Sequence, residues 1–261
     1  MTGPSMITAL RHPDVARRLV ILANVAIVTA ALIAGQVTAR PAEAMPAATA
    51  ATTTAAPDLT VVELFTSQGC SSCPPANANL TRLAARPDVL ALSFGVTYWD
   101  QLGWTDTFGS AANTARQRAY QTGLGHNNVW TPQVVVDGRA DVVGQTLSPI
   151  EDLIRRHRRF AGPAVVFRDG AVGLAGGSSG GPADVWLVRY DPRVVDVPVQ
   201  RGENGGRTLP HVDVVRQLVR LGGWDGRTIG FALPAAPASG LSTAVLVQAP
   251  NGGPILAVAR G

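Results

Sequence analysis

Short apolar runs alternate with amphipathic stretches through the middle of this chain. Val61-Val62-Glu63-Leu64-Phe65 is apolar at every position but Glu63, the pattern of a strand covered on both faces. Cys73 to Ala85 has helical spacing, with Ala76, Leu80, Leu83 and Ala84 on one face, and Arg86-Pro87-Asp88 stops it. Val89 to Val96 predicts a second strand. Ser110 is placed to cap a helix through Thr122 that Gly123 closes. Gln133 to Val136 predicts a third strand. Asp137-Gly138 is a tight-turn signal, so Ala140 to Val143 should pair back antiparallel. Ser148 is placed to cap a last helix ending in Arg155-Arg156-His157-Arg158-Arg159, where cations suit the helix terminus. Strand, helix, strand, helix, strand, hairpin strand, helix is the order of an α/β unit. Its mixed sheet starts parallel, ends antiparallel and is flanked by helices.

Past Gly162-Pro163 the helical period fades. Val165–Phe167, Val172–Leu174, Val185–Tyr190 and Val194–Val197 are short β-like runs separated by turn residues. Thr243–Gln248 and Pro254–Ala259 flank Asn251-Gly252 as a terminal hairpin, while His211–Val219 suits a strand or a helix. This spacing predicts a second, β-rich domain over 163–261, a small sandwich or barrel. The α/β domain then covers 58–162.

The N-terminus has the pattern of an export signal. Arg11, Arg17 and Arg18 precede an apolar run of 17 residues, Leu19 to Gly35, and Ala42-Glu43-Ala44 offers a cleavage site after residue 44. Retained, residues 19–35 would be a short membrane anchor. In both cases the folded part lies outside the cytoplasm. Residues 45–57 are almost entirely Ala, Thr and Pro, with nothing to bury, and suit a disordered tether.

Composition narrows the chemistry. The chain has no lysine, which excludes a Walker-type phosphate loop and Schiff-base catalysis. Half of the net charge of +4 comes from Arg11, Arg17, Arg18 and Arg40 set against Asp14 and Glu43. The remainder is too mild to argue for nucleic acid as a partner.

Cys70 and Cys73 are the only cysteines. They stand three residues apart, between the first strand and the first helix, so one sulfur reaches the other across a single turn. That is the layout of a redox pair that opens and closes. A disulfide across so short a ring gains little from chain entropy, so bracing is the weaker explanation. Thiolate is the attacking species, and the unpaired N–H groups and dipole of a helix N-terminus stabilise it. Cys70, on the loop side, is the candidate nucleophile and Cys73 the resolving thiol. The N–H groups and hydroxyls of Ser71 and Ser72 are candidate donors to the Cys70 sulfur.

Strand, Cys-x-x-Cys, helix, then Thr131-Pro132 before a strand and an Asp-Gly hairpin resembles the thioredoxin fold. Within that superfamily the chain resembles a bacterial family of secreted thioredoxin-like proteins known as a domain of unknown function. The matching stretches are Val62 to Pro75, Tyr98 to Trp104, Thr114 to Tyr120, Thr131 to Gln133 and Gly202 to Leu209. The resemblance implies a cis Pro132 against the disulfide, with Thr131 offering backbone groups to an extended substrate. It also offers Glu63 a role, since some thioredoxin-like proteins use a buried acid below the second cysteine to accept its proton. The alternatives for Glu63 are a salt bridge to an arginine or an exposed strand end.

Other signals are weaker. Two cysteines make a poor metal site, and His126, His157 and His211 show no ligand spacing. His126 lies just before Thr131-Pro132 and is the one candidate for a third soft-metal ligand. Gly176-Gly177-Ser178-Ser179-Gly180 fits G-x-S-x-G, but Gly181-Pro182 follows in place of a helix. Trp99, Trp104 and Trp130 should pack the long insertion before Thr131. The expectation is therefore an exported thiol–disulfide oxidoreductase with catalytic Cys70, Cys73 and Glu63 and substrate-binding Thr131 and Pro132. It needs no cofactor or metal, and its partners are protein or small thiols and disulfides. The rival is a non-enzymatic thioredoxin-like protein whose cysteine pair is structural or handles copper or zinc.

Overall fold

The computed structural model describes residues 59–156, 162–178 and 180–261. The export segment expected over 1–44, the tether over 45–57, residues 157–159 of the basic run and Ser179 lie outside the described residues. Among the described residues no helix is long and apolar enough to cross a membrane.

β1 (Thr60–Thr66) runs parallel to β2 (Val89–Gly95), and β3 (Gln133–Val136) pairs antiparallel along its other side. Asp137 and Gly138 both take positive φ, 49° and 63°, so the chain turns tightly and β4 (Ala140–Val142) returns along β3. Helix α1 (Pro74–Ala84) follows β1, and α2 (Ala111–Gly123) follows β2. The Ser110 hydroxyl caps α2 by accepting the Asn113 N–H at 3.1 Å. Helix α3 (Leu147–Arg156) begins one residue before Ser148, so that serine sits in its first turn and is not the cap.

The alternation of β1 distributes its side chains to two cores. Val62 and Leu64 pack with Leu80 and Leu83 of α1 and with Ile150 and Ile154 of α3. Val61 and Phe65 pack with Tyr120 of α2 and with Leu90, Leu92 and Phe94 of β2. Each large apolar side chain so buried contributes about 1.5–3 kcal/mol.

The C-terminal region is β-rich but does not form the free-standing domain expected from its sequence. Its long strands are β7 (Ala183–Asp191), β10 (Val214–Trp224), β12 (Ser242–Gln248) and β13 (Ile255–Arg260). They continue the first sheet in the order β13-β12-β7-β10-β2-β1-β3-β4, giving eight mixed strands. The seam is narrow: Val214 pairs with Ser93 in parallel register, and the Ser93 N–H donates to the Asp213 carbonyl at 2.9 Å. The change of period at Gly162-Pro163 marks a change of element type. It does not mark a boundary, because the open edge of β2 accepts β10.

A smaller sheet of β5 (Val165–Arg168), β6 (Ala171–Leu174) and β11 (Ile229–Ala232) covers one face of this half. Val172 and Leu174 meet Val185, Leu187, Trp224, Val245 and Val247 in its core. The stretch 211–219, readable as strand or helix, is strand from Val214. β8 (Val195–Pro198) and β9 (Thr208–His211) form a separate hairpin whose connecting loop spans 199–207. At the far edge, Asn251 and Gly252 turn β12 into β13 with φ of 57° and 70°. That turn packs on the last turns of α2, where Gly252 has no room for a Cβ against the backbone of Ala119.

Candidate redox site

The site forms where β1 ends and α1 begins. After Thr66 the chain loops through Ser67 to Ser72, and Cys73 is the N-cap of α1. The Cys73 side chain accepts no cap bond, and Pro74-Pro75 fill the first helical positions, where a missing N–H does no harm. Cys70 and Cys73 form a disulfide with Cα atoms 5.5 Å apart. Both residues are 0% exposed.

The segment holding Thr131 and Pro132 approaches this bond. The Thr131–Pro132 peptide is cis. The Thr131 carbonyl oxygen lies 3.8 Å from the Cys70 sulfur. A disulfide sulfur carries no proton, so the Ser72 hydroxyl is the donor across its 3.2 Å contact with Cys70 Sγ, and it also lies 3.4 Å from the Thr131 carbonyl. Trp99 Nε1 fixes Thr131 by donating to its hydroxyl at 2.7 Å, and Gln145 Nε2 donates to the Ser72 carbonyl at 3.0 Å. Trp99 thus positions the site as well as packing the insertion.

Gln68 ties the cysteine loop to that insertion. Its N–H donates to Asp106 Oδ2 at 2.7 Å, its Nε2 to Thr107 at 2.8 Å, and its Oε1 accepts Trp104 Nε1 at 2.9 Å. Burial raises the Asp106 pKa despite the N–H groups of Gln68 and Phe108 that it accepts. Burial likewise pushes the Tyr98 hydroxyl up to about 12.

Glu63 is placed elsewhere, and the proton-accepting role expected for it is corrected. It shares the α2 face of β1 with Val61 and Phe65, whereas α1, which Cys73 caps, packs on the opposite face. Its oxygens accept Arg116 Nε at 2.6 Å and Nη2 at 3.1 Å, and the Tyr120 hydroxyl donates to Oε2. Gln248 Nε2 of β12 closes the group by donating to the Tyr120 oxygen at 3.0 Å. Burial by itself would lower the Arg116 pKa, but the adjacent Glu63 and Tyr120 hold it raised. Burial drives the Tyr120 pKa well above its ordinary value. The guanidinium also lies 5.2–5.7 Å from the ring centroids of Phe94, Tyr120 and Trp186. Of the alternatives for Glu63, the salt bridge to an arginine is the one observed.

His126 is also engaged. Its Nε2 lies 3.0 Å from Asp141 Oδ1, and its ring meets Trp130 edge to face at 4.8 Å. Among the described residues no group of three or more His, Cys, Asp or Glu side chains is placed to hold a metal.

The site contains a segment to which sequence reasoning gave no role. The 199–207 loop lies against the cysteine loop. Asn204, 0% exposed, donates both amide hydrogens to the carbonyls of Gln68 and Cys70, at 2.9 and 2.8 Å, and accepts Arg207 Nη1 at 2.7 Å. Glu203 Oε2 accepts the Ser71 N–H at 2.9 Å. That N–H, a candidate donor to the Cys70 sulfur, is therefore given to a carboxylate. The signals for this were the Gly-Glu-Asn-Gly-Gly turn, which stands out in a β-rich stretch, and the place of Gly202 to Leu209 among the stretches that carry the family resemblance.

Residues 61–248 match a family described as a protein of unknown function, DUF1223. The chain belongs to that family. The DUF1223 match spans both halves of the sheet and the loop that docks on the cysteines. A crystal structure of an Agrobacterium tumefaciens protein is similar, at 34% identity and a TM-score of 0.63, covering 77% of this chain and 92% of that one. HBP35 of Porphyromonas gingivalis shares the fold at 13% identity and a TM-score of 0.51, over 78% of this chain and 75% of that one. Among curated proteins none matches.

Proposed function

We propose that this protein is an exported thiol–disulfide oxidoreductase built on a thioredoxin-like α/β arrangement, exchanging its Cys70–Cys73 disulfide with thiol clients. The arrangement that supports the fold reading is β1 and β2 parallel, β3 and β4 antiparallel, α1 and α3 on one face and α2 on the other. The observation that carries the functional reading is the disulfide in the N-terminal turn of α1, set against the carbonyl of Thr131. A disulfide also accords with an oxidising compartment outside the cytoplasm.

The exchange balances as follows. A client thiolate attacks Cys70 Sγ, a client–Cys70 bond forms, and the Cys70–Cys73 bond breaks. Cys73 leaves with the electron pair as a thiolate at the helix N-terminus and takes up a proton. A second client thiolate attacks the client sulfur and expels Cys70. The client has lost two electrons to the protein. The reverse sequence reduces a client disulfide.

The burial of both sulfurs favours a second reading, a fixed brace between β1 and α1. One titration separates the two. The protein is equilibrated with reduced and oxidised glutathione and its thiols are counted after acid quench. A redox enzyme titrates within the range of glutathione buffers and catalyses refolding of a scrambled disulfide protein. A pair that stays oxidised throughout, in a protein without refolding activity, is a brace.

A further inference from the structure

We infer that Glu203 is a positioning and specificity residue of the disulfide: its carboxylate takes the Ser71 N–H away from the Cys70 sulfur, and its charge disfavours both thiolate at Cys70 and the approach of anionic thiols. This inference rests on the oxidoreductase reading and gives the C-terminal region a part in the chemistry.

The geometry supports it in three ways. Ser71 stands between the two cysteines, so a carboxylate 2.9 Å from its N–H lies on the loop that carries the sulfurs. Ser71 and Glu203 are both exposed, which puts the charge at the surface an incoming thiol crosses. The loop is also held in place: Asn204, buried next to Glu203, is bonded to Gln68 and Cys70. Gly202, at φ 75°, brings the backbone against Trp104 and Gly69, where a Cβ would be 3.4 Å from Trp104 Cβ. Glu203 is therefore fixed against the cysteine loop by its neighbour. The Ser71 N–H holds its carboxyl below the ordinary carboxylate range, so it is charged at neutral pH.

Among the described residues no arginine forms an ion pair with Glu203. Ser72, Thr131 and Gln145 bring only neutral groups to the cysteine loop. From the insertion, Asp106 is bonded to the Gln68 N–H, and Asp100 accepts the Asp106 N–H at 3.0 Å. From the 199–207 loop, the Arg207 guanidinium is turned onto the Asn204 side-chain oxygen. The charge nearest the Ser71 N–H is negative. At a wet surface such a charge is worth a few-fold in rate or equilibrium, and salt screens it.

The test compares the full chain with Glu203→Gln, which keeps an acceptor for the Ser71 N–H and removes the charge. The pH midpoint of iodoacetamide alkylation of Cys70 in the reduced protein should fall by roughly half a unit. Reduction of the oxidised protein by cysteamine and by glutathione supplies the second measurement. The cationic thiol should be favoured about threefold more in wild type than in Glu203→Gln at low salt, and the difference should shrink in 0.5 M NaCl. A merely structural Glu203 would move neither the thiol preference nor its salt dependence. Unchanged midpoint and unchanged preference, in a wild-type protein that does exchange with glutathione, overturn this inference alone. A wild-type protein that does not exchange overturns the oxidoreductase reading beneath it.

Discussion

Glu63 and Cys70 are seven residues apart, yet they end in opposite chemical settings. Around Cys70 the structure gathers backbone groups, hydroxyls and amides from loops: Ser72, Thr131, Gln145 and Asn204. Around Glu63 it gathers a sealed ion pair, with Arg116 and Tyr120 from a helix and Gln248 from the third strand beyond the seam. The contrast teaches that a buried acid near a cysteine pair is not automatically part of its chemistry. Which face of the strand it takes decides the matter. The Glu63 cluster locks α2 to both halves of the sheet, while the cysteine pair is held by loops where β1 ends and α1 begins.

The largest effect should come from removing the cation. Arg116→Ala leaves Glu63 buried and unpaired, and urea unfolding should show a loss of about 3–5 kcal/mol. A loss under 1 kcal/mol would mean the pair is not sealed as described. Next is Asn204→Ala, which strips the buried Gln68 and Cys70 carbonyls of a partner. It should lose about 1–3 kcal/mol by the same measurement and speed reduction of the disulfide by dithiothreitol. Unchanged reduction would detach the 199–207 loop from the site.

A third carboxylate sharpens the comparison, because it is largely buried without an ion-pair partner of the Glu63 kind. Burial first, then Asp191, raise the Asp213 pKa to about 7 against an opposing Arg260. The folded state therefore holds this proton more tightly than the unfolded chain, whose reference value is 3.8. The stabilisation is fully present below about pH 4, declines as pH rises through 7 and is flat above. Asp213→Asn should remove that slope and, allowing for solvent screening, gain about 1 kcal/mol at pH 8. An identical slope in the variant would reject the assignment. The smallest effect is the most diagnostic. Glu63→Gln should leave resolution of a mixed disulfide unchanged at every pH, and slower resolution would return Glu63 to the redox chemistry.

What was legible in the chain was local. Nearly continuous apolar runs marked β1, β2 and β3, Ser110 announced α2, and Asp137-Gly138 and Asn251-Gly252 announced their hairpins. Cys70 and Cys73 were legible from their spacing between a strand and a helix, and Thr131 and Pro132 joined them only through the fold resemblance. What was not legible was long-range. Glu63 could be seen to need a partner, but Arg116 is 53 residues away and the helical phase of α2 alone does not select it. Asn204 meets Cys70 across 134 residues. The expected domain boundary failed for the same reason: nothing in Val212 to Val215 says that it will join the edge of β2.

That seam bears on how the chain matures. β2 and β10 are parallel strands far apart in the chain, and Val214 can pair with Ser93 only once the chain between them has been synthesised. A nascent chain therefore carries β2 with a naked, wholly apolar-flanked edge until most of its length has emerged. Such an edge invites pairing with a second molecule. The closure of this late, non-local contact should be the slow step of folding, and a helper that shields β2 in the interval would raise the yield of monomer.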